Sequence, residues 1–201
     1  MSEAFETINY RGYKIELIQE QYPFHPREDS DPLGTFFVPR DNRNISGDKG
    51  AIDPNDLEDR EIAVLVLVYA LVHSGVWLNT TGFSDPWDSG CVGAIYLTRE
   101  DVLKEFGWKV LTKTRKEKLE SYLRSEIQTL SDYFEGNVAG YVITDPNDEQ
   151  LDSCWGYYPD HETDLPYRNN NGWQSLIEEC KSIVDHQANK LESFASVGIG
   201  L

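Results

Sequence analysis

The alternation of apolar and polar residues predicts a β-hairpin near the start of the chain. In residues 5–20 (FETINYRGYKIELIQE) apolar and polar side chains alternate on both sides of Arg11-Gly12, as in two half-buried strands. The apolar run Ile62–Val72 has small or β-branched residues at its even positions, which favours a central buried strand over a helix. Further strands are predicted at 35–38, 76–81 and 92–97. The last two would form a meander with the central strand.

Helical spacing of apolar residues predicts two consecutive helices after these strands. A capping-type start at Thr98 opens a short helix through Phe106. The segment Thr114-Arg-Lys-Glu117 has the form of a capping box for a longer helix, which Gly136 would terminate. Both helices are expected to lie on the sheet.

The remaining sequence completes the predicted fold. A second hairpin is expected over 138–158, and the apolar stripe of residues 173–191 predicts a final helix. The chain is therefore predicted to be α+β, with a mostly antiparallel β-sheet and two to three helices packed on one face. We expect one domain over 1–201, in which 39–60 form a long surface loop and 194–201 a flexible tail.

Charge narrows the classes of function. Acidic residues outnumber basic ones 35 to 18, and the formal net charge is −17. Such a surface repels nucleic acid and anionic membranes, so we expect no direct nucleic-acid binding and no membrane association. The longest apolar run is shorter than the roughly 20 residues of a spanning helix, and the start MSEAFETINY has no apolar leader segment. We therefore expect a cytoplasmic protein.

The cysteines and histidines give no sign of a bound metal or another cofactor. Three cysteines without metal-type spacing fit reduced thiols, and the four histidines are scattered along the chain. The carboxylates at 145–152 have the composition of a calcium loop. They lack its glycine and its terminal glutamate, so a solvated turn is the better interpretation. We expect no cofactor and no metal.

One stretch concentrates reactive side chains: His73, Asp85, Asp88 and Cys91 lie within a predicted hairpin and its neighbouring strand. An enzyme or small-ligand site would use these four residues, with His73, Asp88 and Cys91 as the candidate catalytic residues. The structural alternative is that His73 and Asp85 shape turns and that Cys91 is a small buried residue. The enzyme hypothesis requires His73 and Asp88 to converge within about 3 Å in a concave site.

Aromatic and acidic residues on predicted turns and strands are candidates for contact with a protein partner. Tryptophans are frequent binding hot spots, although more of them belong to cores. The candidate partner-binding residues are Asp85, Trp87, Asp88, Asp145, Asp148, Glu149, Asp152 and Trp155. The one basic cluster comprises Lys113, Arg115, Lys116 and Lys118 and is interpreted as the solvated face of a helix.

Several segments carry a family resemblance: INYRGYKIELIQEQYPFHPRE, PLGTFF, the box PWDSGCVGAIY and the downstream box DSCWG. They resemble a family of small acidic proteins encoded by bacteriophages, prophages and other mobile elements, which has no established activity. Family members commonly carry glutamine at the position of Cys91, which counts against a Cys91 nucleophile. The resemblance implies an accessory protein that acts on the host, a class that includes inhibitors of restriction and CRISPR systems.

Two hypotheses therefore lead. The first is a non-enzymatic protein that binds a host protein stoichiometrically, such as a nucleic-acid-binding enzyme whose basic groove would accept an acidic surface in place of nucleic acid. The second is the enzyme or small-ligand site described above. A third is a structural protein of the mobile element, whose acidity serves solubility. The sequence leaves the oligomeric state open.

Overall fold

The secondary structure confirms the predicted α+β class. A computed structural model describes residues 3–39, 45–161 and 172–196. In these ranges the chain forms eight strands, all paired antiparallel, and three α-helices. The strands are β1 (Ala4–Tyr10), β2 (Tyr13–Gln19), β3 (Thr35–Phe37), β4 (Ile62–Val72), β5 (Val76–Asn79), β6 (Ser89–Thr98), β7 (Ala139–Thr144) and β8 (Gln150–Tyr157). The helices are α1 (Arg99–Phe106), α2 (Lys113–Glu135) and α3 (Gln174–Ser196).

The strands are divided between two four-stranded sheets rather than gathered in one. The chain accordingly splits into two compact units. Unit 1 comprises Met1–Pro23 and Gly136–Leu201, and unit 2 comprises Phe24–Glu135. The expectation of a single domain over 1–201 stays a prediction.

Unit 1 is a sheet of order β1-β2-β7-β8 covered on one face by α3. Alternate residues of β2, among them Ile15 and Leu17, point into the core, where Cys180 and Val184 of α3 meet them. The turn between β1 and β2 is fastened to the same helix, because Arg11 donates to Asp185 and to another carboxylate further along α3. The predicted first hairpin, second hairpin and final helix are thus all present.

Unit 2 is a sheet of order β3-β6-β4-β5, with α2 packed against it. The even positions of β4 from Val64 to Ala70 are buried, as the β-branched pattern predicts. The predicted meander order is wrong, because β6 pairs with β4 and leaves β5 at the edge. The ten residues of β6 find a long ladder along the eleven of β4, whereas β5 offers only four.

One of the two predicted helix caps is correct. The Thr98 hydroxyl accepts from the Asp101 N–H at 3.1 Å, and the Asp101 carboxylate accepts from the Thr98 N–H at 2.9 Å. The capping box proposed at Thr114 is wrong. The helix α2 begins earlier, where Thr112 Oγ1 accepts from the Arg115 N–H at 3.3 Å.

The long loop and the tail are only partly as expected. Residues 40–44 and 197–201 lie outside the described ranges. The side chain of Ile45 is buried in the core of unit 2, and Pro54–Asp56 form one turn of 3-10 helix, so the loop is anchored to the fold. Residues 194–196 continue α3. None of the described helices combines the length and the apolar character that crossing a bilayer requires.

Candidate functional site

The turn before β6 is held in one shape by a single carboxylate. Asp85 Oδ1 accepts from the backbone N–H groups of Trp87 at 2.8 Å and of Asp88 at 3.0 Å. The Ser89 hydroxyl closes the turn by donating to the Asp85 carbonyl. The N–H groups of Asp88 and Trp87 also hold the pKa of the Asp85 carboxyl below its usual value. The Asp85 carboxylate therefore shapes the turn, and its lowered pKa makes it a weak proton acceptor.

This turn presents Trp87 to solvent. The side chain is 91% exposed, which is unusual for the most area-rich apolar residue. Its backbone is fixed on both sides by the hydrogen bonds of the turn, and the Asp88 carbonyl accepts from the Val72 N–H at 2.9 Å. Trp87 is thus a solvent-exposed aromatic side chain on a turn that hydrogen bonds hold in place.

The structure meets one of the two geometric requirements of the enzyme hypothesis: His73 and Asp88 are close together, but they do not lie in a concave site. His73 Nδ1 lies 3.2 Å from Asp88 Oδ2, as an acid–base pair needs. The His73 side chain is 76% exposed, and Asp88 is exposed as well, so the pair lies on an open turn rather than in a concave site. Water is not excluded from it, which removes most of the electrostatic advantage of a catalytic site.

Cys91 does not join this pair. Cys91 is paired with Tyr69 of β4, and His73 lies four residues beyond Tyr69 along the chain. At the rise of an extended strand, four residues separate Tyr69 from His73 by about 13 Å. A β-bulge between Val68 and Tyr69 shifts the register, so that Val92 takes the buried position and Cys91 faces solvent. The Cys91 thiol therefore lies outside hydrogen-bond reach of His73.

A second rigid turn, between β7 and β8 in unit 1, carries the acidic candidates. Asp145 Oδ1 accepts from the N–H groups of Asn147 at 2.8 Å and Glu149 at 2.9 Å. These donors, that of Glu149 foremost, keep the pKa of the Asp145 carboxyl below its usual value. Asp148 has a positive φ of 64°, and its side chain is exposed, like that of Glu149. The turn displays fixed negative charge at the sheet end.

Asp152 and Trp155 on β8 are separate from this tip. Asp152 Oδ2 accepts from the Tyr141 hydroxyl at 2.9 Å, so its carboxylate serves the fold of unit 1. Burial, with the Asp152 bond, raises the pKa of Tyr141. The Trp155 ring lies across Gly140, where a Cβ would come within 2.2 Å of it, and stays half exposed. Trp155 is thus partly a packing residue.

Sequence reasoning missed a buried polar cluster in unit 2. Arg27 is buried and donates Nε and Nη2 to the two Asp48 oxygens, each at 2.6 Å. Its Nη1 donates to Glu126 of α2 at 3.0 Å. Glu126 also accepts from the Leu33 and Gly34 N–H groups. No local pattern indicates this cluster, because its members lie far apart in the sequence.

An open groove of about 990 Å³ runs beside this Arg27 cluster. Its lining mixes charges of both signs, including Lys49, Lys104 and Glu105, with the ring of His25. The Nδ1 atom of His25 accepts from the N–H groups of Arg27 and Glu28, each at 3.2 Å, which orients the ring. The mixed charges define no single ligand class.

The described ranges hold no group of three or more His, Cys, Asp or Glu side chains placed to bind a metal ion. Comparison with protein-family models, curated proteins and solved structures finds no match to this chain.

Proposed function

We propose that this chain is a non-enzymatic binding protein of a phage or another mobile element, which binds a host protein stoichiometrically. The observation that carries the proposal is the 91% exposed Trp87 on a turn that Asp85 holds rigid. A tryptophan anchored on a preordered turn contributes a large contact area at little entropic cost on binding.

The charge of the chain defines the partner's chemistry. With a net charge of −17, and with the rigid turn at Asp145–Glu149, the surface is suited to a basic face. A nucleic-acid-binding enzyme in the host cytoplasm has such a face, and occupying it would inhibit the enzyme. An anti-restriction or anti-CRISPR role is the specific form of this proposal, and it rests on the family resemblance.

The experiment begins with capture of partners from host lysate on the tagged full chain, eluted along a salt gradient. The captured protein is then purified and titrated calorimetrically with wild-type chain and with variants. We expect saturation at a fixed stoichiometry and an affinity that falls with salt. Trp87→Ala should raise Kd about thirtyfold, the cost of losing a hot-spot residue of about 2 kcal/mol.

The matched control is Tyr22→Ala, because the Tyr22 side chain is similarly uncovered, at 89% exposure, and lies outside both turns. It should leave Kd unchanged. Replacing Asp145, Asp148 and Glu149 by their amides tests the acidic turn and should weaken binding most at low salt. Equal affinities for wild type and the Trp87→Ala variant would refute the role of the turn that carries Trp87.

A further inference from the structure

A ladder of stacked rings with a cation at each end closes the corner between α1 and α2. The rings of Phe106 and Trp108 stack with centroids 4.7 Å apart, and Phe106 also lies parallel to Tyr122 at 6.3 Å. Arg115 lies over the Trp108 ring at 4.8 Å, and Lys118 over the Tyr122 ring at 5.6 Å. Arg115 is held further by a 2.7 Å bond to the Val110 carbonyl.

This corner has the opposite charge to the rest of the chain. Between residues 104 and 124 there are seven basic residues and three acidic ones, a net charge of +4 in a chain of −17. The basic residues are Lys104, Lys109, Lys113, Arg115, Lys116, Lys118 and Arg124. Among the cations at the start of α2, Lys113 has a carboxylate partner in the described part of the chain: Glu117, at 3.7 Å. The cations are therefore largely uncompensated.

Apolar groups complete the surface. The side chain of Val110 is exposed between the ladder and the start of α2, and Leu103 of α1 is exposed as well. We define the cation–aromatic surface as Trp108, Val110, Lys113, Arg115, Lys116 and Lys118. Arginine and tryptophan beside exposed apolar groups have the composition of a protein-binding hot spot.

We propose that the cation–aromatic surface binds a carboxylate-rich polypeptide segment that carries apolar side chains. This partner differs in chemistry from the basic partner of the proposed function, so the inference goes beyond it. The guanidinium of Arg115 is fixed by its ring and its carbonyl bond, and a fixed guanidinium is suited to carboxylate recognition. Val110 offers contact to the segment's apolar groups.

The same observations favour a polypeptide over single-stranded nucleic acid. Proteins bind single strands by stacking bases on open aromatic faces. In this corner the rings stack on one another, and the Arg115 and Lys118 cations lie over the two ends of the ladder. The net charge of −17 also repels a long polyphosphate more than a short acidic segment.

The test measures fluorescence anisotropy of a labelled peptide of repeated Glu-Glu-Leu units, added to the full chain at about 20 mM and about 200 mM salt. The variant K113Q/K116Q/K118Q removes three cations, including the Lys118 cation over Tyr122, and leaves the three stacked rings and Arg115 in place. We expect it to bind the peptide about tenfold more weakly than wild type. Trp108→Leu, which frees Arg115, should also weaken binding while thermal unfolding reports whether the chain stays folded.

The matched control K49Q/R60Q/K190Q removes three exposed cations elsewhere and should bind the peptide like wild type. Equal loss in both triple variants would mean a general charge effect and overturn the proposal, as would absence of binding to wild type at low salt. Labelled oligothymidylate of equal length is the competing probe. Tighter binding of oligothymidylate than of the peptide would identify a nucleic-acid-binding surface. Salt-sensitive self-association that is lost in K113Q/K116Q/K118Q would identify a second copy of the chain as the partner. Either result would refute the proposal of an acidic polypeptide segment.

Discussion

Replacing Arg27 by alanine tests whether a buried cation holds the loops of unit 2 to α2. The Arg27 side chain is 4% exposed, and its guanidinium bonds to Asp48 and Glu126 at 2.6–3.0 Å. Removing one partner of a buried ion pair costs about 3–5 kcal/mol, because the other charge stays behind unpaired. Asp48 and Glu126 are less buried and keep backbone N–H donors, so we expect about 3 kcal/mol.

Two variants calibrate this value. Arg60→Ala breaks a similarly short contact, 2.5 Å to Glu58, between two exposed side chains. Such surface pairs contribute little, so this control should cost less than about 0.5 kcal/mol. Arg27→Lys keeps the positive charge but cannot form the two-pronged bond to Asp48, and we expect an intermediate loss.

Amide hydrogen exchange in β4 and β6 is the assay, because it reports the opening free energy of unit 2 without requiring the whole chain to unfold in one step. A loss of about 3 kcal/mol accelerates exchange of the most protected amides about 150-fold. An acceleration below about fivefold in Arg27→Ala, equivalent to about 1 kcal/mol, would refute the reasoning. The loops would then be held by apolar packing alone.

Three further results are expected. A thiol reagent should modify the two exposed cysteines of the native chain at once, and Cys180 only on unfolding, since burial raises the pKa of its thiol to about 12; three rapid equivalents would contradict this. Burial likewise raises the pKa of Tyr141 in the folded chain, so the folded state retains protons that the unfolded state loses. The stabilisation that protonated Tyr141 contributes is complete below pH about 9. It should decline as pH rises above the ordinary tyrosine pKa of 10.0, and a flat urea midpoint across this range would contradict it. Gly93→Ala places a Cβ 2.1 Å from the Phe37 carbonyl oxygen and should cost about 1–3 kcal/mol in urea unfolding, whereas Gly90→Ala on the same strand has open space and should cost less.

The parts of the fold that the sequence predicted are those that depend on neighbours along the chain. The strand Ile62–Val72 and the helix cap at Thr98 follow from local periodicity and capping chemistry, and both are present. The order of strands in a sheet depends instead on pairing between distant segments. The pairing of β6 with β4 was therefore beyond the local pattern, as was the division into two sheets.

In the candidate site, too, features set by neighbouring residues were predictable and features set by distant residues were not. Asp85 and Asp145 precede proline in turn-forming segments, and both form the turns expected of them. The exposure of Cys91 depends on one β-bulge, which alters which face each neighbouring side chain occupies. Arg27 depends on partners 21 and 99 residues away, a separation that no spacing rule anticipates.

Pre-ordering is the physical property shared by the three proposed recognition elements. Asp85 fixes the Trp87 turn, Asp145 fixes the acidic turn, and stacked rings fix Arg115. Each of these supporting groups lies in the same compact unit as the residue or turn that it holds. The three recognition elements are therefore ordered before a partner binds. Because ordering costs are met during folding, contacts made by these groups contribute more of their energy to affinity. Opposite charges on separate elements then favour two partners of different chemistry over one.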